Sequence, residues 1–559
     1  NPPFSDKAWS TGISVDDDPY QRFSWGVPPA KQGDYAYLLH VIRSMNSTGK
    51  AAVILPHGVL FRGNAEAVIR KQLVRSGYLK GIIGLPANLF YGTGIPACIL
   101  VLDKENAQAR AISGDKKSGI FMIDAAKGFI KDGNKNRLRE QDIHRIVDTF
   151  NKQSSVPGYA RMVPFDEITD AKNDYNLNLP RYIDTSEPED LHDIHAHLNG
   201  GISVRDIDGD ASALPPIPGL SAYWQALPGL RQALFTANAH PGYADLAVES
   251  GALKTTILQH PEFADFRSTI DGLFAQWRTR NTPVFKAFDI DDNPKVLITQ
   301  VGENLLETFR QAPLLNPYDI YQHLMDYWAD TLQDDAYEIT ADGWVAEPKR
   351  IVEEITSGKK KGQTKDKGWA CDLVPKPYIV ARYFAEEQAE LDALQAELDS
   401  TGSLLTELEE EHGGEDGAFA ELDKINKGEV AKRLKEIKGD PDCAEEARVL
   451  KQWSAFEKQQ GDLKRQIKEA DAALDQLAYD QYAKLSVDEI KTLVVDDKWL
   501  AELEAALQNE LERVSQTLTG RVRQLADRYA TPLPELTQRV DALSAKVDEH
   551  LKKMGARWA

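Results

Sequence analysis

Four short, wholly apolar runs within the first 123 residues constrain the fold of this chain most strongly. Each is five or six residues long, which fits a strand covered on both faces, as in a parallel sheet. They occupy residues 51–55, 81–85, 97–102 and 119–123. Between and before them, residues 34–45 and 65–76 carry apolar side chains at helical spacing. This alternation predicts an α/β sheet domain, of which these residues form the back half.

The rest of the chain predicts helices. Proline-rich residues 206–218 indicate a linker, and leucines spaced along one face of residues 383–412 indicate a long acidic helix that needs a partner. We therefore predict four segments. They are a catalytic domain at 1–200, a linker at 201–219, a helical middle region at 220–370, and an acidic, coiled-coil-like assembly region at 371–559.

The formal net charge of −21 disfavours nucleic-acid binding by the chain as a whole, but the charge is uneven. Residues 1–200 hold 24 Lys and Arg against 23 Asp and Glu, which leaves 42 (66 − 24) against 64 (87 − 23) for the remainder. If DNA is bound, we expect the first 200 residues to contact it and a partner to supply most of the affinity. Three widely spaced cysteines match no zinc or disulfide pattern, which favours a reducing cytoplasm. No apolar run approaches about 18 residues, so no membrane contact is expected.

The strongest chemical signal is the tetrapeptide Asn1, Pro2, Pro3 and Phe4. Methylating an exocyclic base amine requires that its delocalised lone pair be drawn towards tetrahedral geometry. The Asn1 side-chain oxygen and the Pro2 carbonyl are two acceptors suited to the amino hydrogens, and the prolines stiffen the loop that presents them. Phe4 can stack on a base swung out of the duplex. The alternative is an ordinary proline turn closed by a buried Phe4.

Further residues in matching order favour the first interpretation. Across residues 1 to about 124, the chain closely resembles the modification subunits of type I restriction-modification systems. The matching residues include NPPF at 1–4, Arg22-Phe23, Asp34-Tyr35, Leu55-Pro56, GVLFRG at 58–63, IGLP at 83–86, NLF at 88–90 and TGIP at 93–96. The helices from Tyr383 onward also look like those of longer family members.

The resemblance implies the C-terminal half of a Rossmann-like fold that uses S-adenosyl-L-methionine to methylate adenine at N6. It implies double-stranded DNA and a specificity subunit as partners, two modification subunits per specificity subunit, and in some complexes a restriction subunit. It also places Asn1, Pro2, Pro3 and Phe4 in the roles derived above. A second aromatic wall for the flipped base is expected at Phe90 or Tyr91, with a buried core Phe90 as the alternative.

One departure concerns the cofactor. The family's glycine-rich cofactor loop lies ahead of NPPF and is not in this sequence, so cofactor-binding residues are unknown. We expect that upstream sequence is missing and that these 559 residues alone are inactive. Two other functions stay open: a standalone adenine methyltransferase of another defence system with a fused recognition region, and a non-catalytic assembly subunit.

Two weaker signals were weighed. His192, His195 and His197 cluster around Asp193, but a solvated polar helix is favoured over a metal site. A lysine cluster at 359–361 is expected to be a solvated loop rather than a DNA contact.

Overall fold

A computed structural model describes residues 1–111, 118–186, 190–210, 212, 217, 219–354, 364–414 and 417–555. The chain divides into two compact units. The first comprises Asn1–Phe274, Leu305–Asp326 and Leu507–Ala559, and the second comprises Ala275–Asn304 and Tyr327–Ala506. No helix among the described residues is long and apolar enough to span a membrane.

The described strands lie mainly in the first unit. They are β1 (Lys50–Pro56), β2 (Leu79–Gly84), β3 (Ala97–Asp103), β4 (Gly119–Asp124), β5 (Ile130–Asp132), β6 (Lys135–Arg137), β7 (Ala160–Pro164), β8 (Ile202–Ser203), β9 (Phe235–Ala237), β10 (Tyr243–Leu246), β11 (Lys349–Glu354) and β12 (Thr364–Ala370).

The α-helices dominate the remainder. They are α1 (Asp34–Ser44), α2 (Asn64–Arg75), α3 (Ala107–Ala111), α4 (Glu140–Lys152), α5 (Phe165–Thr169), α6 (Ile194–Asn199), α7 (Val204–Asp208), α8 (Ser221–Ala226), α9 (Pro228–Leu234), α10 (Leu253–Gln259), α11 (Pro261–Ala287), α12 (Pro294–Phe309), α13 (Pro317–Tyr327), α14 (Gln333–Asp342), α15 (Lys376–Tyr383), α16 (Ala385–Glu411), α17 (Lys427–Glu436), α18 (Ala444–Tyr482), α19 (Val487–Lys491), α20 (Ala501–Tyr529) and α21 (Leu533–Lys553). Two π-helical segments, Trp328–Leu332 and Thr492–Leu500, precede α14 and α20.

The main sheet has five strands in the order β1-β3-β2-β4-β7, and all four apolar runs form strands as predicted. The expectation of a parallel sheet is wrong, because only β2 and β4 pair in parallel. The physical reason lies in the connection from β2 to β3. It contains no helix that could carry the chain back to the starting edge, so β3 returns antiparallel between β1 and β2. The result is a mixed α/β sheet.

The two faces of the sheet are buried unequally. On one face, Val53, Leu55 and Leu100 pack in a large core with helices α1 and α2. On the other face, Ile83, Phe121 and Ile123 pack with Ile146 of α4. Alternation along each strand sends successive side chains to opposite faces, which is why β3 contributes Leu100 to the first core and Ile99 and Val101 to the second.

Strand β1 forms an edge of this sheet, since β3 is its one pairing partner among the described strands. Beside that edge, on the face that carries α4, lies an apolar groove of about 600 Å³. Ala52 and Ile54 of β1 line it on one side, and Ile143 and Val147 of α4 line it on the other. These two α4 residues remain 42% and 50% exposed, so the face is only partly covered here.

The second unit is built on long helices. Helices α16 and α18 run antiparallel, as shown by hydrogen bonds from Trp453 to Glu409 (2.6 Å) and from Gln459 to Glu397 (2.9 Å). Leu405 and Leu408 of the predicted leucine face are buried in a core with residues of α18. The partner of that face is therefore a helix of the same chain.

The predicted domain boundaries stay predictions. The predicted linker 201–219 contains α7, and its residues 211, 213–216 and 218 lie outside the described residues, as does the lysine cluster at 359–361. The middle region 220–370 contains strands as well as helices, including the antiparallel pairs β9–β10 and β11–β12.

Candidate active site

The NPPF residues lie at the surface of the first unit. Asn1 and Pro3 are exposed, whereas Pro2 and Phe4 are half-buried. Among the described residues, neither the Asn1 side chain nor the Pro2 carbonyl has a hydrogen-bond partner. Both groups therefore remain free to accept hydrogen bonds from another molecule.

The structure brings Phe4 together with Phe90, although 86 positions separate them. Their rings meet edge to face with centroids 5.5 Å apart and an interplanar angle of 71°, a favoured geometry for aromatic pairs. Phe90 is half-buried in the connection between β2 and β3, and Tyr91 beside it is 95% exposed. Phe90 is therefore not a fully buried core residue, and the tetrapeptide lies close to the loop that follows β2.

A buried carboxylate anchors the residue that follows Phe4. Asp34, at the start of α1, is fully buried and accepts a hydrogen bond from the Ser5 backbone N–H at 2.7 Å. The same carboxylate accepts a hydrogen bond from Arg62 at 2.8 Å, and Arg62 also contacts Glu66 at 3.3 Å. Ser5 has a φ of +52°, a left-handed conformation that side chains other than glycine adopt rarely. The anchor thus compensates for a local backbone cost directly beside the tetrapeptide.

The guanidinium of Arg62 pairs with two carboxylates, those of Asp34 and Glu66. Burial raises the pKa of Glu66 in spite of the neighbouring guanidinium of Arg62. A Cβ added at Gly58 would come 2.3 Å from the Arg62 side chain, so the glycine leaves room for the guanidinium. Sequence reasoning noted Asp34 and Arg62 as family matches and missed their structural role, because they lie 28 positions apart.

A second anchor holds the next residue. Asp6 accepts hydrogen bonds from the Tyr37 hydroxyl at 2.6 Å and from the Ala8 backbone N–H at 2.8 Å, and these lower the pKa of its carboxyl. The Asp6 carbonyl accepts a hydrogen bond from the Gly33 N–H at 3.0 Å. A Cβ at Gly33 would lie 2.7 Å from the Cβ of Trp9, so a larger residue would push this segment away from α1.

The loop that carries Phe90 is braced by the β5–β6 hairpin. The Lys135 ammonium donates to the Asn88 side chain (3.1 Å) and to the carbonyls of Phe90 (2.8 Å) and Thr93 (3.1 Å). The Asn136 amide donates to the Ala87 carbonyl at 2.7 Å. A single lysine thus holds three residues of this loop together. No pattern in the sequence indicated this role of Lys135.

The predicted histidine cluster forms contacts within the first unit. His192 Nδ1 and His197 Nε2 lie 3.0 Å apart, and the His195 ring stacks on Tyr243. Asp193 caps α6 by accepting from the Ala196 N–H and also accepts from the Tyr243 hydroxyl. Within the described part of the chain, no group of three or more His, Cys, Asp or Glu is arranged to hold a metal ion.

Comparison with known proteins places the matched region at the start of the chain. Residues 1–191 match the N-6 DNA Methylase family. The methylase subunit of the type I restriction enzyme MpnII of Mycoplasma pneumoniae is 35% identical over 164 residues, which cover 29% of this chain and 28% of that protein. The HindI methylase subunit of Haemophilus influenzae is 33% identical over 198 residues, which cover 34% of this chain and 42% of that protein.

Among solved structures, the methyltransferase subunit of a type I restriction-modification system from Streptococcus thermophilus is 39% identical in the matched region. The match covers 33% of this chain and 37% of that chain, with a TM-score of 0.29. The matched part of this chain thus spans less than half the length of each of these relatives.

Proposed function

We propose that the protein is a DNA adenine-N6 methyltransferase subunit of a type I restriction-modification complex, because residues 1–191 match the N-6 DNA Methylase family and the chain is similar to type I methylase subunits. The observation that carries the proposal is the pair of free acceptors at the exposed Asn1 and the half-buried Pro2, close to Phe4 and to the anchored Ser5. The backbone next to this loop is anchored at Ser5 to the buried pair of Asp34 and Arg62, which holds the two acceptors in place.

In the proposed reaction, the target adenine leaves the duplex and its amino group lies between Asn1 and Pro2. The Asn1 side-chain oxygen and the Pro2 carbonyl each accept one amino hydrogen, which draws the nitrogen lone pair out of the ring. No ionisable base is needed, because the methylated amine is acidic and releases its proton to water. Pro3 keeps the loop rigid, so that little reorganisation is required as the transition state forms.

The aromatic residues divide the remaining work. Because the edge-to-face contact already occupies one side of Phe4, we propose that Phe90 supports Phe4 rather than contacting the base. The free face of Phe4 then stacks on the adenine, a contact worth about 1–3 kcal/mol for aromatic residues and bases. Tyr91, at 95% exposure, is the aromatic side chain free to close over the other face of the base.

S-adenosyl-L-methionine is the proposed methyl donor. Four cavities of about 370 to 600 Å³ are lined by none of Asn1, Pro2, Pro3 and Phe4. We therefore assign no residue of the chain to the donor.

The first 200 residues carry nearly balanced charge and the remainder is strongly acidic, so we propose that double-stranded DNA contacts the first 200 residues. A specificity subunit selects the site and supplies most of the affinity. Two copies of this subunit flank one specificity subunit, with a restriction subunit in complexes that cleave. The alternatives are a standalone adenine methyltransferase and a non-catalytic assembly subunit.

The test uses the full-length subunit with its specificity partner, a cognate duplex and labelled S-adenosyl-L-methionine. We expect Asn1→Ala to abolish transfer to adenine while DNA binding stays within about twofold of the unmodified complex. Asn106→Ala, an exposed residue after β3, is the control and should leave transfer unchanged.

Three results would contradict the proposal. Wild-type transfer by Asn1→Ala would exclude the assigned role of the loop. Site-specific transfer without any partner would favour the standalone enzyme. Absence of transfer in every combination would favour the assembly subunit.

A further inference from the structure

Helix α21 packs against α6 in the first unit, and most of its residues are exposed. None of its residues is buried, although it carries a row of large apolar side chains. Leu533, Leu536, Val540, Leu543 and Val547 are 42% to 62% exposed, and Met554 just beyond the helix is 83% exposed. In proteins most of the stability of a helix comes from packing of its apolar face, so this apolar row calls for a partner.

The row has the spacing of a coiled-coil seam. Its members are separated alternately by three and four residues from 533 to 547, and Met554 lies one heptad after Val547. In heptad notation, Leu533, Val540, Val547 and Met554 occupy a positions, while Leu536, Leu543 and His550 occupy d positions. A β-branched residue at a with Leu at d favours two parallel strands over higher assemblies.

The flanking residues decide which orientation a second copy can adopt. The g positions are all basic, namely Arg539, Lys546 and Lys553. The e positions that follow the first two of them are Ser544 and Leu551. In a parallel pair, each g residue faces an e residue of the partner, so cations meet uncharged side chains. In an antiparallel pair, g faces g, and the cations would repel one another.

We propose that α21 forms a parallel, two-stranded coiled coil with α21 of a second copy of this chain. In register, a faces a and d faces d, so His550 of one copy faces His550 of the other. Nothing in this proposal depends on methyl transfer. A partner helix with acidic flanks is the competing occupant, since it would pair with the basic g row.

The first experiment measures self-association of the full chain by sedimentation velocity over a range of concentrations. Leu543→Asp, at a d position, should raise the dimer dissociation constant at least tenfold. The matched control is Ala545→Asp, at an f position on the outer face, which should leave it within twofold. Both residues are exposed in the structure, so both variants should keep the thermal unfolding midpoint of the unmodified chain.

The second experiment tests orientation. In a Cys443→Ser background, which removes the one cysteine that is not buried, Leu536→Cys should form a disulfide-linked dimer under mild oxidation. This bond is possible in the parallel register because d faces d, and it is out of reach in an antiparallel pair.

Four outcomes overturn the proposal. They are a chain that stays monomeric at every concentration, a dimer that Leu543→Asp leaves intact, a dimer without the Leu536→Cys crosslink, and association that occurs only with an added acidic helix. The last of these would assign α21 to a different protein.

Discussion

Replacing Asp34 by Asn tests whether the anchor behind Phe4 positions the tetrapeptide. The substitution keeps the shape of the side chain and replaces one carboxylate oxygen by an NH₂ group, which cannot accept. The two oxygens of Asp34 accept from the Ser5 N–H at 2.7 Å and from Arg62 at 2.8 Å, so an asparagine satisfies only one of these donors. The other donor then faces an amide nitrogen in a fully buried position.

The expected magnitude follows from that loss. A hydrogen bond to a charged group contributes about 1.5–3 kcal/mol, and Arg62 retains its contact with Glu66. We therefore expect the free energy of unfolding to fall by about 2 kcal/mol. We also expect the release of Ser5 to displace the adjoining acceptors, and a displacement of roughly 1 Å would lower the rate about 100-fold.

The assay compares Asp34→Asn with Asp103→Asn. Asp103 is equally buried and accepts from the Glu105 N–H at 3.0 Å, with Arg110 at 3.7 Å, but it lies at the opposite end of the sheet. Urea denaturation should show a similar loss of stability in both variants. Methyl transfer by the assembled complex, at saturating DNA, should fall about 100-fold in Asp34→Asn alone. Equal rates in the two variants would refute the positioning role.

Two further predictions concern stability. Lys498→Met leaves the buried Asp335 carboxylate without its 2.8 Å ion pair, so we expect a loss of about 3–5 kcal/mol by denaturation, against no measurable change in the exposed control Lys451→Met. Glu510 raises the pKa of His323 from its usual 6.5 at an Nε2–Oε1 distance of 2.9 Å, so protonation stabilises the folded state. That stabilisation is complete below pH 6.5 and is lost as the pH rises through the raised pKa of His323. In His323→Gln, the free energy of unfolding should therefore change less with pH in this range. An unchanged dependence on pH would contradict the assignment.

The sequence by itself determined the kinds of local structure. Apolar runs of five or six residues can be buried on both faces only as strands, and apolar side chains at helical spacing can be buried together only on one side of a helix. For that reason strands β1 to β4 and helices α1 and α2 were predictable to within a few residues. The stiffness and chemistry of the NPPF loop also follow from residue type, whereas its role remains a prediction.

Tertiary structure alone decided what those elements place together. The antiparallel direction of β3, the contact between Phe4 and Phe90, and the bond from Lys135 to the loop all join positions far apart in the chain. Local propensity acts over a few residues, while strand direction and long-range contacts depend on the path that the connecting segments take. A buried carboxylate such as Asp34 looks like any other acidic residue in the sequence. Only folding brings it the Ser5 N–H and the Arg62 guanidinium that make its burial possible.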